Sequence, residues 1–346
     1  MISPRRKASG GYLILKSLEL DNFRGFEKLK LSNLTRVNVI TGPNATGKTA
    51  LLEAVQLGLK GTTAAIAQLN QSRSLPAYAA PGIAVSPPLF RAIWDNLFFN
   101  LDTTREIAIK YTDSNRQRYS LKMYYATAHG GVQPVMGDMT SVVPFALERQ
   151  RNKETPQRIE PLGPGSAWFA SHSIFSETDN VAWFSALSAQ NQEQPVLDMI
   201  TKSFPIIKSL AVLAPAGLQG IWADIGDKKL PVSLVSSGIN KILTLSLASV
   251  SYKSGVLLID EFENGLWHEF YGKMWEYVYA LAKKNDNQLF VSSHSLECLK
   301  ALAPLARKNN LDFCLLRTRQ EHGGLVVRQV SGGALAAALS GINEVR

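Results

Sequence analysis

Apolar and polar residues alternate in two short runs near the start of the chain, LILKSLELDNF and VNVI, which predict strand, turn and strand between Leu13 and Ile40. The second run ends at TGPNATGKT, after which Ala50, Leu51, Leu52, Ala54, Val55, Leu57 and Leu59 mark an amphipathic helix that stops near Gly61. A strand thus feeds a glycine loop that feeds a helix. From about residue 62 to residue 88 the sequence shifts to Ala, Ser, Gln and Pro with little periodicity, which reads as an irregular connection. REIAIKYTDSNRQRYSLKMYYA then places two alternating runs around TDSN, an antiparallel hairpin. Residues 126–167 read as loop again and carry the basic cluster Arg149, Arg151, Lys153 and Arg158, a solvated surface with nucleic-acid contact as the alternative.

Helical patterns occupy residues 181–213, and PVSLVSSGINKILTLSLASVSY opens a second amphipathic helix after a serine and glycine turn. GVLLIDEF is a continuous apolar run closed by two acids, the pattern of a strand buried on both faces. A helix from Trp267 to Lys284, a buried strand in QLFVSSHS and a helix from Leu296 to about Arg307 follow, and DFCLLRTRQEHGGLVVRQV closes as a hairpin. Parallel strands separated by helices make this an α/β chain.

Composition narrows the picture only a little. With 346 residues, 45% hydrophobic and 19% charged, the chain can bury roughly three quarters of its unfolded surface and forms one large or two modest domains. The motifs divide it into an N-terminal lobe over 12–125, an inserted region over 126–235 and a C-terminal lobe over 236–346. No apolar run approaches the ~20 residues that span a bilayer, and the apolar patch Tyr12–Leu15 is too short for a secretory signal, so a cytoplasmic protein with no membrane partner is expected. Cys298 and Cys314 lack the spacing of a zinc knuckle and read as buried fillers. A net charge of +9 permits contact with nucleic acid, although the same excess also serves solubility.

Chemistry enters with Gly42, Pro43, Asn44, Ala45, Thr46, Gly47, Lys48 and Thr49, which fit GxxxxGK[ST] between a strand and a helix. Successive backbone N–H groups and a helix N-terminus, reaching to Ala50, suit a polyphosphate, and Lys48 adds a point charge. Thr49 would place its hydroxyl on Mg2+. At the end of the apolar run, Asp260 would hold the metal and Glu261 would orient or deprotonate the attacking water; a helix N-cap is the competing reading of that acid pair. His294 ends the next apolar run, where it could reach a terminal phosphate or be a hydrogen-bonded core residue. The chemistry these residues suit is hydrolysis of a nucleoside triphosphate, with Lys48, Glu261 and His294 as the catalytic set, and no base-reading motif selects between ATP and GTP.

In its order of elements the chain resembles the ABC-type ATPases of the SMC, RecF and OLD (overcoming lysogenization defect) group, and most of all the compact OLD-like ATPases without a coiled coil. LELDNFRGFEKLKL, GPNATGKTALLEAV, VSLVSSGINKILTLSLA, VLLIDEFENGLW, FVSSHSLECL and ALSGINEVR carry the likeness, and residues 62–235 match loosely. The resemblance implies an ABC-type P-loop head with a mixed central sheet, an antiparallel β subdomain and an inserted helical or irregular region. It also implies a sandwich in which two heads pair, hence a homodimer or larger homo-oligomer. Ser236, Ser237 and Gly238 occupy the signature position that would face the partner's γ-phosphate, with an ordinary helix cap as the alternative, and Lys241 sits where OLD-like proteins often carry a basic residue. Asn264, Gly265 and Leu266 resemble the D-loop that bridges the heads.

Arg24, in NFRGF, matches the family's N-terminal motif near the nucleotide, against a surface salt bridge as the other reading. The sequence departs at Ala45, where the family has glycine, and at the Q-loop glutamine, whose place falls near FASH, residues 169–172. By resemblance the protein is a nucleotide-dependent sensor that regulates a separate effector in phage defence or a toxin system. A RecF-like DNA-repair ATPase and a nucleotide-locked scaffold are the alternatives.

Overall fold

The computed structural model describes residues 15–73, 94–125, 145–151, 166–169, 177–217 and 219–340. Three sheets organise them. The first contains β1 (Ser17–Phe23), β2 (Phe26–Leu31), β4 (Ile107–Thr112), β5 (Arg118–Tyr125) and β6 (Phe145–Arg151), antiparallel in the order β2-β1-β4-β5-β6. The second contains β3 (Val37–Thr41), β7 (Ser166–Phe169), β11 (Val256–Ile259), β12 (Gln288–Ser292), β13 (Phe313–Glu321) and β14 (Gly324–Ser331), in the order β14-β13-β3-β12-β11-β7. All its pairings are parallel except the β13–β14 hairpin at its edge. A small antiparallel sheet joins β8 (Ser209–Leu213), β9 (Gly220–Asp224) and β10 (Lys229–Pro231).

The helices are α1 (Lys48–Lys60), α2 (Thr63–Ser72), α3 (Glu177–Ser188), α4 (Gln194–Ser203), the single turn α5 (Val232–Val235), α6 (Ser237–Ser251), α7 (Tyr271–Lys284), α8 (Leu296–Lys308) and α9 (Gly333–Ser340). Successive residues of the parallel strands point to opposite faces and so feed two cores. Val37, Val39, Leu257, Ile259, Leu289 and Val291 join one with α6, α7 and α8. Ile40, Val256, Leu258 and Phe290 join the other with α1 and the antiparallel sheet. Strands wet on neither face need continuous apolar sequence, which is why VLLI and QLFVS read as they do.

Four expectations change, the first being that the helical stretch read over 181–213 closes with strand β8, which pairs with β9. The stretch after residue 62 opens with a helix, α2, because Ala65, Ile66 and Leu69 lie on one face and bury there. The span 126–167 contains β6 and β7, short strands recruited by pairing to β5 and β11. The helix expected from Trp267 begins at Tyr271, after a 3₁₀ turn at His268–Phe270. Both cysteines are buried, as expected. Among the described residues no helix is long and apolar enough to cross a membrane. Lys153 and Arg158 of the basic cluster, and His129 and His172, lie outside the described residues.

Candidate functional site

The parallel strands β3, β11 and β12 end side by side, and the loops leaving them meet. Between β3 and α1 the chain turns through Gly42 at φ 151, Ala45 at φ 61 and Gly47 at φ 87. At Gly42 no side chain fits, since a Cβ would lie 2.3 Å from the Thr318 carbonyl oxygen. Thr46 braces the loop, its Oγ1 lying 2.7 Å from both the Pro43 carbonyl oxygen and Thr318 Oγ1. Lys48 Nζ folds over the loop and donates to the carbonyls of Gly42 at 2.9 Å and Pro43 at 2.8 Å. Burial pulls its ammonium below the usual lysine range, against the opposing fields of Asp260, Glu263 and Glu261.

Thr49, on the first turn of α1, donates from Oγ1 to Asp260 Oδ2 at 2.9 Å, which joins the phosphate loop to the end of β11. Ser292, at the end of β12, bonds Asp260 Oδ1 and accepts the Glu261 backbone N–H at 2.9 Å. Asp260 is 7% exposed, and burial raises its carboxyl above the ordinary range despite the hydrogen bonds from Ser292 and Thr49. A buried carboxylate beside a hydroxyl is a donor set that fits a hard divalent cation such as Mg2+. The acid pair is no helix N-cap, because α7 starts only at Tyr271. Glu261 takes the left-handed conformation, φ 47, and its side chain accepts from Asn264 Nδ2.

One cavity of about 1020 Å³ is lined by Arg24, Asn44, Ala45, Gly47, Lys48, Thr49, Ala50, Arg73, Asp260, Glu261 and His294. The P-loop, both acids, the histidine and Arg24 therefore converge. Arg24 is no surface salt bridge: its side chain is 8% exposed, bonds Glu53 at 3.0 Å and reaches the Asn96 carbonyl at 3.1 Å. Burial lowers its guanidinium and Glu53 opposes the shift. Glu53, fully buried on α1, also receives Arg73 at 2.5 Å. Sequence reading missed Glu53 and Arg73; the only signal was an acid four residues after Thr49, on the same helical face.

Ser236, Ser237, Gly238, Asn264 and Gly265 line a different surface. Ser236 is the N-cap residue of α6 yet its side chain makes no capping hydrogen bond, and Ser237 Oγ donates instead to the Gly265 carbonyl at 3.3 Å. Lys241, 4% exposed, donates to the carbonyls of Glu261 at 3.2 Å, Phe262 at 2.7 Å and Asn264 at 2.9 Å. Desolvation lowers its pKa to about 8. The ammonium thus ties the helix after Ser236–Gly238 to the chain that follows Asp260. Of the segment expected to replace the Q-loop, Phe169 ends β7 and residues 170–172 lie outside the described residues.

Comparison with known proteins bears on the family and the fold. The AAA domain family profile matches residues 17–196, and the AAA ATPase domain profile matches residues 148–299. An ATP/GTP phosphatase of Helicobacter pylori is 22% identical over 89% of this chain and 94% of its own length. The DNA replication and repair protein RecF of Agathobacter rectalis is 53% identical over 51 residues, 15% of this chain and 14% of that protein. Among solved structures, an SMC head bound to the C-terminal winged-helix domain of ScpA superposes with TM-score 0.58 at 13% identity, over 92% of this chain and 98% of that one. The SMC head domain of Thermotoga maritima gives 0.52 at 13% identity, over 92% and 99%. The fold is that of an ABC-type P-loop head.

Proposed function

The chain belongs to the AAA domain family and is an ATPase, and from that premise we propose that its 1020 Å³ cavity hydrolyses ATP to control a separate effector protein. The observation that carries the site reading is the Thr49–Asp260 hydrogen bond, which closes the phosphate loop onto the strand end that also presents Glu261. In this reading the loop Gly42–Thr49 wraps the phosphates, the backbone N–H groups of Asn44–Ala50 donate to them, Lys48 supplies charge, and Thr49 and Asp260 hold Mg2+. Magnesium, when bound, neutralises charge on the terminal phosphates. Glu261 takes the proton of the attacking water, His294 positions that water from the cavity wall, and Arg24 contacts phosphate oxygens.

Ser236–Gly238 and Asn264–Gly265 do not line that cavity, which supports assigning them to the nucleotide of a second copy. The functional unit is then a homodimer or larger homo-oligomer that closes on ATP and opens after hydrolysis. The resemblance to OLD-like ATPases points to phage defence or a toxin system, and to the cytoplasm. The solved SMC head that carries a ScpA domain supports a protein as the thing held.

A second reading, DNA repair, is favoured by the short RecF match and the +9 charge. Against it, three of the four lysines in the five-stranded antiparallel sheet are paired: Lys30 with Glu19 at 2.8 Å, Lys110 with Asp21 at 3.4 Å and Lys122 with Glu106 at 2.9 Å. Paired lysines release few phosphate counterions. Glu261→Gln trapped with ATP and recovered from its native cell separates the two. A co-purifying protein effector supports control of a partner; DNA alone, lost steeply with added salt, supports repair.

A further inference from the structure

The chain that follows β11 holds a third carboxylate, to which the scheme above gives no part. Glu263 is 6% exposed. Its Oε1 accepts the backbone N–H of His294 at 2.8 Å and of Ser295 at 3.1 Å, and lies 2.9 Å from His294 Nδ1. One oxygen therefore grips both the backbone and the ring of the same histidine. Its Oε2 is buried without a hydrogen-bond partner, and the nearby Lys241 ammonium interacts with the carboxylate electrostatically.

The histidine side chain is 46% exposed and lines the cavity, and its ring nitrogen is held by Glu263. The neighbouring acid is otherwise engaged, because the Glu261 carboxylate accepts from Asn264 Nδ2. Two acids two residues apart thus serve two different partners. A carboxylate accepts and cannot donate, so the ring atom facing it carries hydrogen: Nδ1 is the donor and Nε2 is left for the cavity.

We propose that Glu263 is the positioning residue for His294, fixing its ring direction and its Nδ1–H tautomer so that Nε2 accepts from the water at the bound phosphate. This rests on the reading of His294 given above. Glu263 itself touches neither phosphate nor water. Its spacing in DEFEN, with one acid at the strand end and another two residues on, is compatible with this division because the left-handed turn at Glu261 redirects the chain between them.

The test compares Glu263→Ala, Glu263→Gln, His294→Ala and the Glu263→Ala/His294→Ala double variant, each checked for a cooperative melt. Glu263→Ala lowers kcat on the order of 10-fold with KM within about twofold, and Glu263→Gln, whose amide oxygen still accepts, recovers most of the loss. The double variant turns over like His294→Ala alone, since both remove one unit. In 15N-histidine spectra taken where the ring is neutral, the His294 signal is Nδ1–H in the wild type and in Glu263→Gln, and shifts toward Nε2–H in Glu263→Ala. Should Glu263→Ala fail to fold, Glu263→Gln and the wild-type tautomer carry the test. A wild-type His294 that is Nε2–H, or a double variant slower than His294→Ala by the full Glu263→Ala factor, overturns the proposal. A normal rate in His294→Ala, together with a wild-type His294 that is Nδ1–H, overturns the reading of His294 instead.

Discussion

Around the phosphate loop, the first turn of α1 and the ends of β11 and β12 are tied into one chain of bonds: Thr49 to Asp260, Asp260 to Ser292, Ser292 to the Glu261 backbone. The Ser236–Gly238 turn and the Asn264–Gly265 turn meet through one hydroxyl, Ser237 to the Gly265 carbonyl, and Ser236 and Ser237 are exposed. Leu234 and Trp267, flanking the two turns, are 74% and 69% exposed. One region is organised before any ligand arrives; the other leaves donors and apolar surface open. That contrast is what a site split between two copies requires, with the costly ordering done in advance on the side that binds first.

The largest effect that sharpens this contrast falls on the organised side. Glu261→Gln removes the proposed base while keeping shape, and turnover is expected to drop on the order of 10³-fold with ATP affinity nearly unchanged. Steady-state phosphate release and equilibrium nucleotide binding measure the two separately. Equal rates for variant and wild type would remove Glu261 from the mechanism.

A smaller loss, about 100-fold, is expected from Ser237→Arg on the open side, again with nucleotide binding by the isolated head intact. Mixing it with Lys48→Ala restores part of the activity, because each variant donates the half that the other lacks. If Ser237→Arg abolishes nucleotide binding by the monomer, the two regions belong to one site and the comparison breaks.

Lys241 bridges the two regions, and its ionisation reports the strength of the link. Its folded pKa, about 8, lies below the usual 10.5, so from about pH 8 to pH 10.5 the unfolded chain holds a proton that the folded one has shed. Stability from this group therefore rises with pH across that window, by about 3 kcal/mol at most. Glu263, Cys298 and Glu261 face the ammonium, and the Cys298 thiol is itself pushed up to about 12 by burial, so it stays protonated in the folded state over most of the window. Denaturant unfolding of wild type and Lys241→Met, differenced across the window, isolates the rise; a flat difference means the ammonium is not desolvated. Buried tyrosines such as Tyr277 contribute equally to both chains and cancel.

How much of this could be read from the sequence depends on how local its cause is. The phosphate loop is legible because a strand, eight residues and a helix suffice to specify it, and β11 and β12 because burial on both faces demands unbroken apolar runs. β7 escaped notice since four residues, SAWF, become a strand only by pairing with β11. Glu53 and Glu263 were invisible for the same reason: an acid is expected at the surface until a distant Arg24 or His294 arrives to pair with it. Arg24 was seen through resemblance, yet its burial against Glu53 and Asn96 belongs to tertiary structure alone.

Ala45 gives the smallest effect and a check on the organised side. At φ 61 it occupies the left-handed region, where a Cβ crowds the following carbonyl at a cost of about 1–2 kcal/mol. Glycine removes that crowding but loses about 0.4–1 kcal/mol through its freer unfolded chain. The two terms nearly offset, leaving Ala45→Gly more stable by about 0.5 kcal/mol, a shift of one or two degrees in melting temperature. Because the backbone already holds this conformation, the phosphate loop gains nothing in geometry, and ATP affinity should move less than about threefold. A gain in affinity of ten times or more would mean that alanine holds the loop away from its binding shape, and that this side of the head is less prepared than its hydrogen bonds imply.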